Sequence, residues 1–121
     1  MSKKTLMIIL FSALAVTMAG CSQKASPQST ATSSPLILFY STKCQHCQNV
    51  EKYMSDNKIT EEITVEQKEI SDKANAQVLL EKAQICNLDT NNIGVPFLWT
   101  GSTCLIGDED IINFFKTKVS K

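Results

Sequence analysis

Leu36-Ile37-Leu38-Phe39-Tyr40-Ser41-Thr42-Lys43-Cys44-Gln45-His46-Cys47 is the stretch on which the reading of this chain turns. Its first five residues are an unbroken apolar, β-prone run, the pattern of a strand buried on both faces. Ser41-Thr42-Lys43 is a short connection, and Gln48 to Asn57 reads as a helix. In that helix Val50, Tyr53 and Met54 make an i, i+3, i+4 core stripe, while Glu51, Lys52 and Asp56 face outward. Two thiols three apart at a helix start can close a small disulfide ring. Cys44 sits where unpaired backbone N–H groups and the positive end of the helix dipole favour a thiolate. Thiol–disulfide exchange is the chemistry this arrangement predicts.

Upstream, Met1 to Lys4 carries two lysines, and Thr5 to Ala19 is an apolar run of 15 residues. A membrane span needs about 20, so the run has the form of a signal peptide with a charged start and an apolar middle. It closes with Met18-Ala19-Gly20-Cys21. This resembles the lipobox of bacterial lipoproteins, with Met18 where leucine is usual, and implies that Cys21 becomes the lipidated first residue. Ser22 to Ser34 holds Ser, Thr, Gln, Ala and Pro with one lysine and no large apolar side chain. It reads as a flexible tether with an end-to-end distance of roughly 20 Å. The expected organisation is a signal peptide over 1–20, a tether over 21–34 and one domain over 35–121. The expected location is the cell envelope, outside the cytoplasm and lipid-anchored to a membrane.

A unit of this length supports one modest core. From Cys21 onward there are ten lysines against twelve carboxylates, no basic stripe and no arginine. That excludes nucleic acid as an expected partner and removes the fork used for bidentate phosphate recognition. Five cysteines are an odd number for an exported protein. Lipidation of Cys21 leaves the Cys44/Cys47 pair together with Cys86 and Cys104. Those last two are either a structural disulfide, which an oxidising compartment permits, or two small buried hydrophobes. A bridge spanning 18 residues would contribute about 3 kcal/mol.

Downstream, Ile63, Val65 and Gln67 alternate with Thr64, Glu66 and Lys68, so Glu62 to Ile70 reads as a half-buried strand. Ser71 is the expected N-cap of a helix from Asp72 to about Cys86, with Val78, Leu79, Ala83, Ile85 and Cys86 as its apolar face. Asn87 to Gly94 is a loop. Val95-Pro96 leads into the strand Phe97 to Thr100, Gly101-Ser102 makes a hairpin turn, and Cys104-Leu105-Ile106 returns. Gly107 ends that strand. Asp108, Glu109 and Asp110 acidify the start of a last helix whose core contacts are Ile111, Ile112, Phe114 and Phe115. The predicted order is βαβαββα.

That order, with a CxxC after the first strand and a proline opening the third, resembles the minimal thioredoxin fold of glutaredoxins. The likeness covers essentially all of Pro35 to Val119 and rests on Tyr40 to Cys47 and on Gly94-Val95-Pro96-Phe97. It implies an α/β fold with a four-stranded mixed sheet flanked by helices. It also implies that Cys44 is the exposed nucleophile, Cys47 the resolving thiol, and Pro96 a cis-proline beside the pair. Val95 would then offer its backbone to a substrate peptide. A histidine between the cysteines resembles the DsbA-type envelope oxidases, which implies thiolate tuning by His46, assisted by Lys43. Two departures matter. Leu38 stands where thioredoxins and DsbA-type oxidases carry a buried acid. The Gln45-His46 centre and the acidic cluster after Gly107 depart from the glutaredoxin pattern for glutathione.

The expected activity is a membrane-tethered thiol–disulfide oxidoreductase acting on exported protein thiols and disulfides, with oxidase slightly favoured over reductase. Beyond its own Cys44–Cys47 disulfide it would need no cofactor. It would act as a monomer and exchange electrons with a membrane partner. The competing expectation is a copper or zinc binding or delivery module built on Cys44, His46 and Cys47. Against that reading, a closed tetrahedral zinc site needs a fourth ligand, and His46 is the only histidine.

Overall fold

The computed structural model describes residues 35–119. The expected signal peptide, the tether and the lipidation site Cys21 lie outside the described residues. Nine elements follow in order: β1 (Leu36–Tyr40), α1 (Gln45–Asp56), the short α2 (Ile59–Glu62), β2 (Val65–Glu69), α3 (Lys73–Ile85), a 3₁₀ turn (Thr90–Asn92), β3 (Phe97–Trp99), β4 (Cys104–Ile106) and α4 (Asp108–Val119). The fold is α/β. Its sheet is mixed and has the order β2-β1-β3-β4, with β1 parallel to β2 and antiparallel to β3, and β3 antiparallel to β4.

The two-residue period of a strand sorts the core into two layers. Leu38 of β1 and Leu98 of β3, opposite one another in register, face α1 and α4 and pack with Val50, Met54, Ile59, Ile111 and Phe115. Ile37, Phe39, Phe97 and Trp99 point the other way and pack with Leu79 and Ala83 of α3. Phe39 and Phe97 meet edge to face, their centroids 5.8 Å apart. β1 is therefore covered on both faces and paired on both edges, as its continuous apolar run predicts.

Several boundaries differ from the sequence reading, each for a local reason. The α2 turn occupies the stretch between the expected helix end at Asn57 and the expected strand, and takes Glu62 from that strand. Lys58 adopts a left-handed conformation (φ 52°) and starts the turn, and Ile59, fully buried, anchors it. The second strand consequently begins at Val65 rather than Glu62. As an edge strand it exposes Gln67, while Lys68 and Glu69 are half-buried. The N-cap of α3 is Asp72, not Ser71: its carboxylate accepts the N–H groups of Ala74 at 2.7 Å and Asn75 at 3.4 Å. Ile85 does not belong to the apolar face. It lies about 120° around the helix from Leu79 at 100° per residue and is 57% exposed.

The end of α3 is closed by a Schellman motif. Asn87 takes the left-handed position (φ 56°), its N–H donates to Gln84, and the N–H of Leu88 donates to Ala83. Cys86 is the C-cap of the helix and is joined by a disulfide to Cys104 at the start of β4, with a Cα separation of 6.2 Å. Beside the bridge, Lys82 Nζ lies 5.1 Å from the ring centroid of Trp99. The bridge staples α3 to the outer hairpin across a separation of 18 residues. Replacing both cysteines by alanine should therefore lower the unfolding free energy by about 3 kcal/mol, read by urea denaturation of the oxidised protein. Unchanged stability would show that the bridge is mechanically idle.

Candidate active site

The sheet delivers the cysteines. β1 ends at Tyr40, and the chain turns through Ser41, whose carbonyl accepts the Cys44 N–H at 3.1 Å and whose Oγ accepts the Lys43 N–H at 3.3 Å. Cys44 is extended (φ −98°, ψ 117°) and caps α1 with its sulfur, Sγ accepting the Cys47 N–H at 3.2 Å. The helix thus starts at Gln45, three residues before the expected 48. Cys44 becomes the cap and Cys47 lies within the first turn. The sulfur occupies the place where a hydroxyl or carboxylate oxygen ordinarily takes up one of the unpaired N–H groups of a helix start.

A second segment closes on the same sulfur from across the sheet. The Cys44 thiol donates to the Val95 carbonyl at 3.4 Å, over 51 positions of sequence. The Val95–Pro96 peptide is cis. Pro96 is fully buried, and its carbonyl accepts the Gly107 N–H at 3.0 Å. Gly107, with φ 92°, occupies backbone space that L side chains rarely enter, and there β4 gives way to α4. The cysteine turn, the Val95-Pro96 segment and the start of α4 therefore meet at one end of the sheet.

The two thiols, both free, have different surroundings. Cys44 is half-exposed, whereas Cys47 is 1% exposed. Burial is the main force pushing the Cys47 thiol up from 9.0 to about 12; its hydrogen bond with Cys44 and the nearby charge of Glu51 add to this, and the Ser41 backbone opposes it. Leu38, fully buried on the strand below, offers no ionisable group. At neutral pH the inner sulfur is a thiol and the outer one is the accessible partner for an incoming group.

His46 is exposed, its side chain 68% accessible, and its Nδ1 lies 3.1 Å from Asp108 Oδ1. The other oxygen of Asp108 accepts from Asn49 Nδ2 at 2.6 Å. These two hydrogen bonds, that of Asn49 first and that of His46 second, hold the Asp108 carboxyl below its usual range. Lys43 is exposed. Neither Asp108 nor Asn49 was singled out in the sequence as a site residue. Asp108 was expected only to complement its helix dipole, and it does stand in the first turn of α4. The signal that locates it is topological. β4 runs antiparallel to β3 and β3 antiparallel to β1, so β1 and β4 end on the same side and each releases a helix there.

Among the described residues, no group of three or more His, Cys, Asp and Glu is placed to hold a metal ion. The imidazole is engaged with Asp108, so the set Cys44, His46 and Cys47 does not converge on one point. Nor is any helix among the described residues long and apolar enough to cross a membrane. A concavity of about 790 Å³ opens beside Pro35, Leu36, Thr100 and Phe114, at the start of β1 and thus at the opposite end of the sheet from Cys44. No protein-family model, curated protein or solved structure matches the chain.

The contrast between the sulfurs has a direct readout. In the reduced protein near neutral pH, iodoacetamide should label Cys44 and leave Cys47 unmodified, as read by peptide mass mapping. Equal labelling of both would contradict the burial. The raised value also fixes the sign of a stability change. The folded state holds the Cys47 proton more tightly than the unfolded chain, so the reduced protein keeps this stability below pH 9.0 and loses it as pH rises toward about 12.

Proposed function

We propose that the chain is a thiol–disulfide oxidoreductase with a thioredoxin-like active site, in which Cys44 is the nucleophile and Cys47 the resolving thiol. The observation that carries this reading is the position of Cys44 Sγ. It caps a helix N-terminus, accepts the Cys47 N–H and touches the carbonyl of Val95 beside cis Pro96. A helix N-terminus stabilises negative charge by about 0.3–1 kcal/mol, up to about 2 in a favourable site. Burial holds the proton on Cys47, and the half-exposed Cys44 is the sulfur open to a substrate.

The exchange runs in two displacements. Cys44 thiolate attacks one sulfur of a substrate disulfide; a Cys44–substrate bond forms, the substrate S–S bond breaks, and the departing sulfur leaves with the electron pair. Cys47, after losing its proton, attacks Cys44 Sγ, closes the internal disulfide and releases the second substrate thiolate. The substrate is reduced and the pair oxidised, and the reverse sequence oxidises a substrate dithiol. The high value for Cys47 keeps it from competing as the first attacker, because the thiolate is the nucleophile. Val95 and Pro96 line the side from which an extended peptide would approach.

The proposal extends to location and partners. The signal-like segment, Cys21 and the polar tether support an exported, lipid-anchored protein that exchanges electrons with exported substrates and with a membrane partner. Oxidase is slightly favoured over reductase because His46 lies between the cysteines and because of the compartment. A reduction potential near −120 mV would mark an oxidant, and one near about −270 mV a reductant.

Cys44→Ser should abolish both insulin reduction and dithiol oxidation. Cys47→Ser should accumulate a mixed disulfide between Cys44 and one half of a model disulfide-linked peptide, the other half leaving as a thiol, visible by mass spectrometry without reductant. Retained turnover in Cys44→Ser would sink the assignment.

A further inference from the structure

Asp108 is joined to His46 and Asn49 across the gap between α4 and α1, and the exchange chemistry uses none of the three. The cluster nonetheless has a defined hydrogen-bond logic. Asp108 Oδ2 is taken by the Asn49 amide at 2.6 Å, so the carboxylate plane is pinned and Oδ1 is left for the imidazole at 3.1 Å. An ionised carboxylate only accepts, and both of its partners hold Asp108 in the ionised form. The proton of the Asp108–His46 hydrogen bond therefore belongs to Nδ1. In a neutral imidazole that assignment leaves the lone pair on Nε2, on the far side of the ring from Asp108. The ring itself is exposed, two residues from Cys44 in the first turn of α1.

We propose that Asp108 is a positioning residue that holds His46 as its Nδ1–H tautomer, so that Nε2 accepts the proton of a substrate thiol attacking Cys44. This rests on the oxidoreductase reading and deepens it. Starting from the oxidised pair, a substrate thiol RSH gives its proton to Nε2 as its sulfur bonds to Cys44 Sγ. The Cys44–Cys47 bond breaks, and its electron pair leaves on Cys47. Cys47 then takes a proton from solvent to become the thiol its burial favours, and His46 returns its proton to solvent. The oxidant is the protein's own disulfide, and the products are a mixed disulfide and one thiol. Asn49 serves the same purpose one bond further out, by fixing the carboxylate that fixes the ring.

Because His46 is the only histidine, its ring nitrogens can be read in the intact protein without assignment. Long-range proton–nitrogen correlation spectra at roughly pH 9, where an ordinary imidazole is neutral, should show a protonated Nδ1 and a bare Nε2. A wild-type ring protonated on Nε2 overturns the proposal before any variant is made. Asp108→Ala should return the ring to a mixture of tautomers. Single-turnover oxidation of a dithiol peptide should slow about 100-fold in His46→Ala, the lower end of a general-base contribution. It should slow roughly tenfold in Asp108→Ala, as when the outer partner of a functional imidazole is removed. The double variant should be no slower than His46→Ala alone. Additive losses, or an Asp108→Ala rate equal to wild type while Cys44→Ser is inactive, would overturn the role of Asp108 and leave the oxidoreductase reading standing. Turnover by Cys44→Ser would remove both.

Discussion

The organisation of this domain depends on the complete enclosure of β1. Its backbone is hydrogen-bonded on both edges and its side chains enter two separate cores, so it cannot shift by one residue without exchanging Leu38 for Ile37 and Phe39. A one-residue slip would carry each set of side chains into the wrong layer. That constraint fixes where the strand ends, and with it where Cys44 begins α1. The placement of the candidate site is thus a property of the core: the cysteine turn can sit only where β1 leaves the sheet.

From that end the site is assembled by three segments distant in sequence. The cysteine turn supplies the sulfurs, the Val95-Pro96 segment supplies a carbonyl against the outer sulfur, and the start of α4 supplies a carboxylate to the imidazole. Gly107 connects the last two, since its N–H is held by the Pro96 carbonyl and its positive φ turns the chain into α4. An L side chain at that position would be strained even though space is open around it. Three helices begin at this end of the sheet, and their caps differ: a thiol sulfur on α1, the Asp72 carboxylate on α3 and the Gly107 carbonyl on α4.

Much of this was legible in the residues. β1 was readable because five consecutive apolar residues leave a strand no solvent face, and α4 because its stripe of Ile111 and Phe115 has a helical period. The disulfide was readable only as one of two alternatives. Whether Cys86 reaches Cys104 depends on how α3 packs across the sheet against Trp99 and Phe97, which local patterning does not reveal. The α2 turn was hidden because Ile59 and Ile63 lie four apart but are flanked by polar residues that suit a loop equally well. The cap of α3 was misread by one position because Ser71 and Asp72 are both good capping residues, and only the hydrogen bonds choose between them. At the site, the pairing of His46 with Asp108 spans 62 positions. No spacing rule reaches that far; only the parallel sense of β1 and β4 brings the two helix starts together.

Trp99 is the only tryptophan in the chain, and it lies on the α3 side of the sheet, opposite Cys104 in the β3–β4 register and beneath Lys82. Disulfides quench indole emission at short range, and Trp99 is the register partner of a cysteine in the Cys86–Cys104 bridge, so the intrinsic fluorescence should respond to that bridge. Leu98, on the opposite face of the same strand, belongs to the layer that carries α1. A spectroscopist following the indole would thus watch the stapled half of the molecule and remain nearly blind to the state of the sulfurs at Cys44 and Cys47.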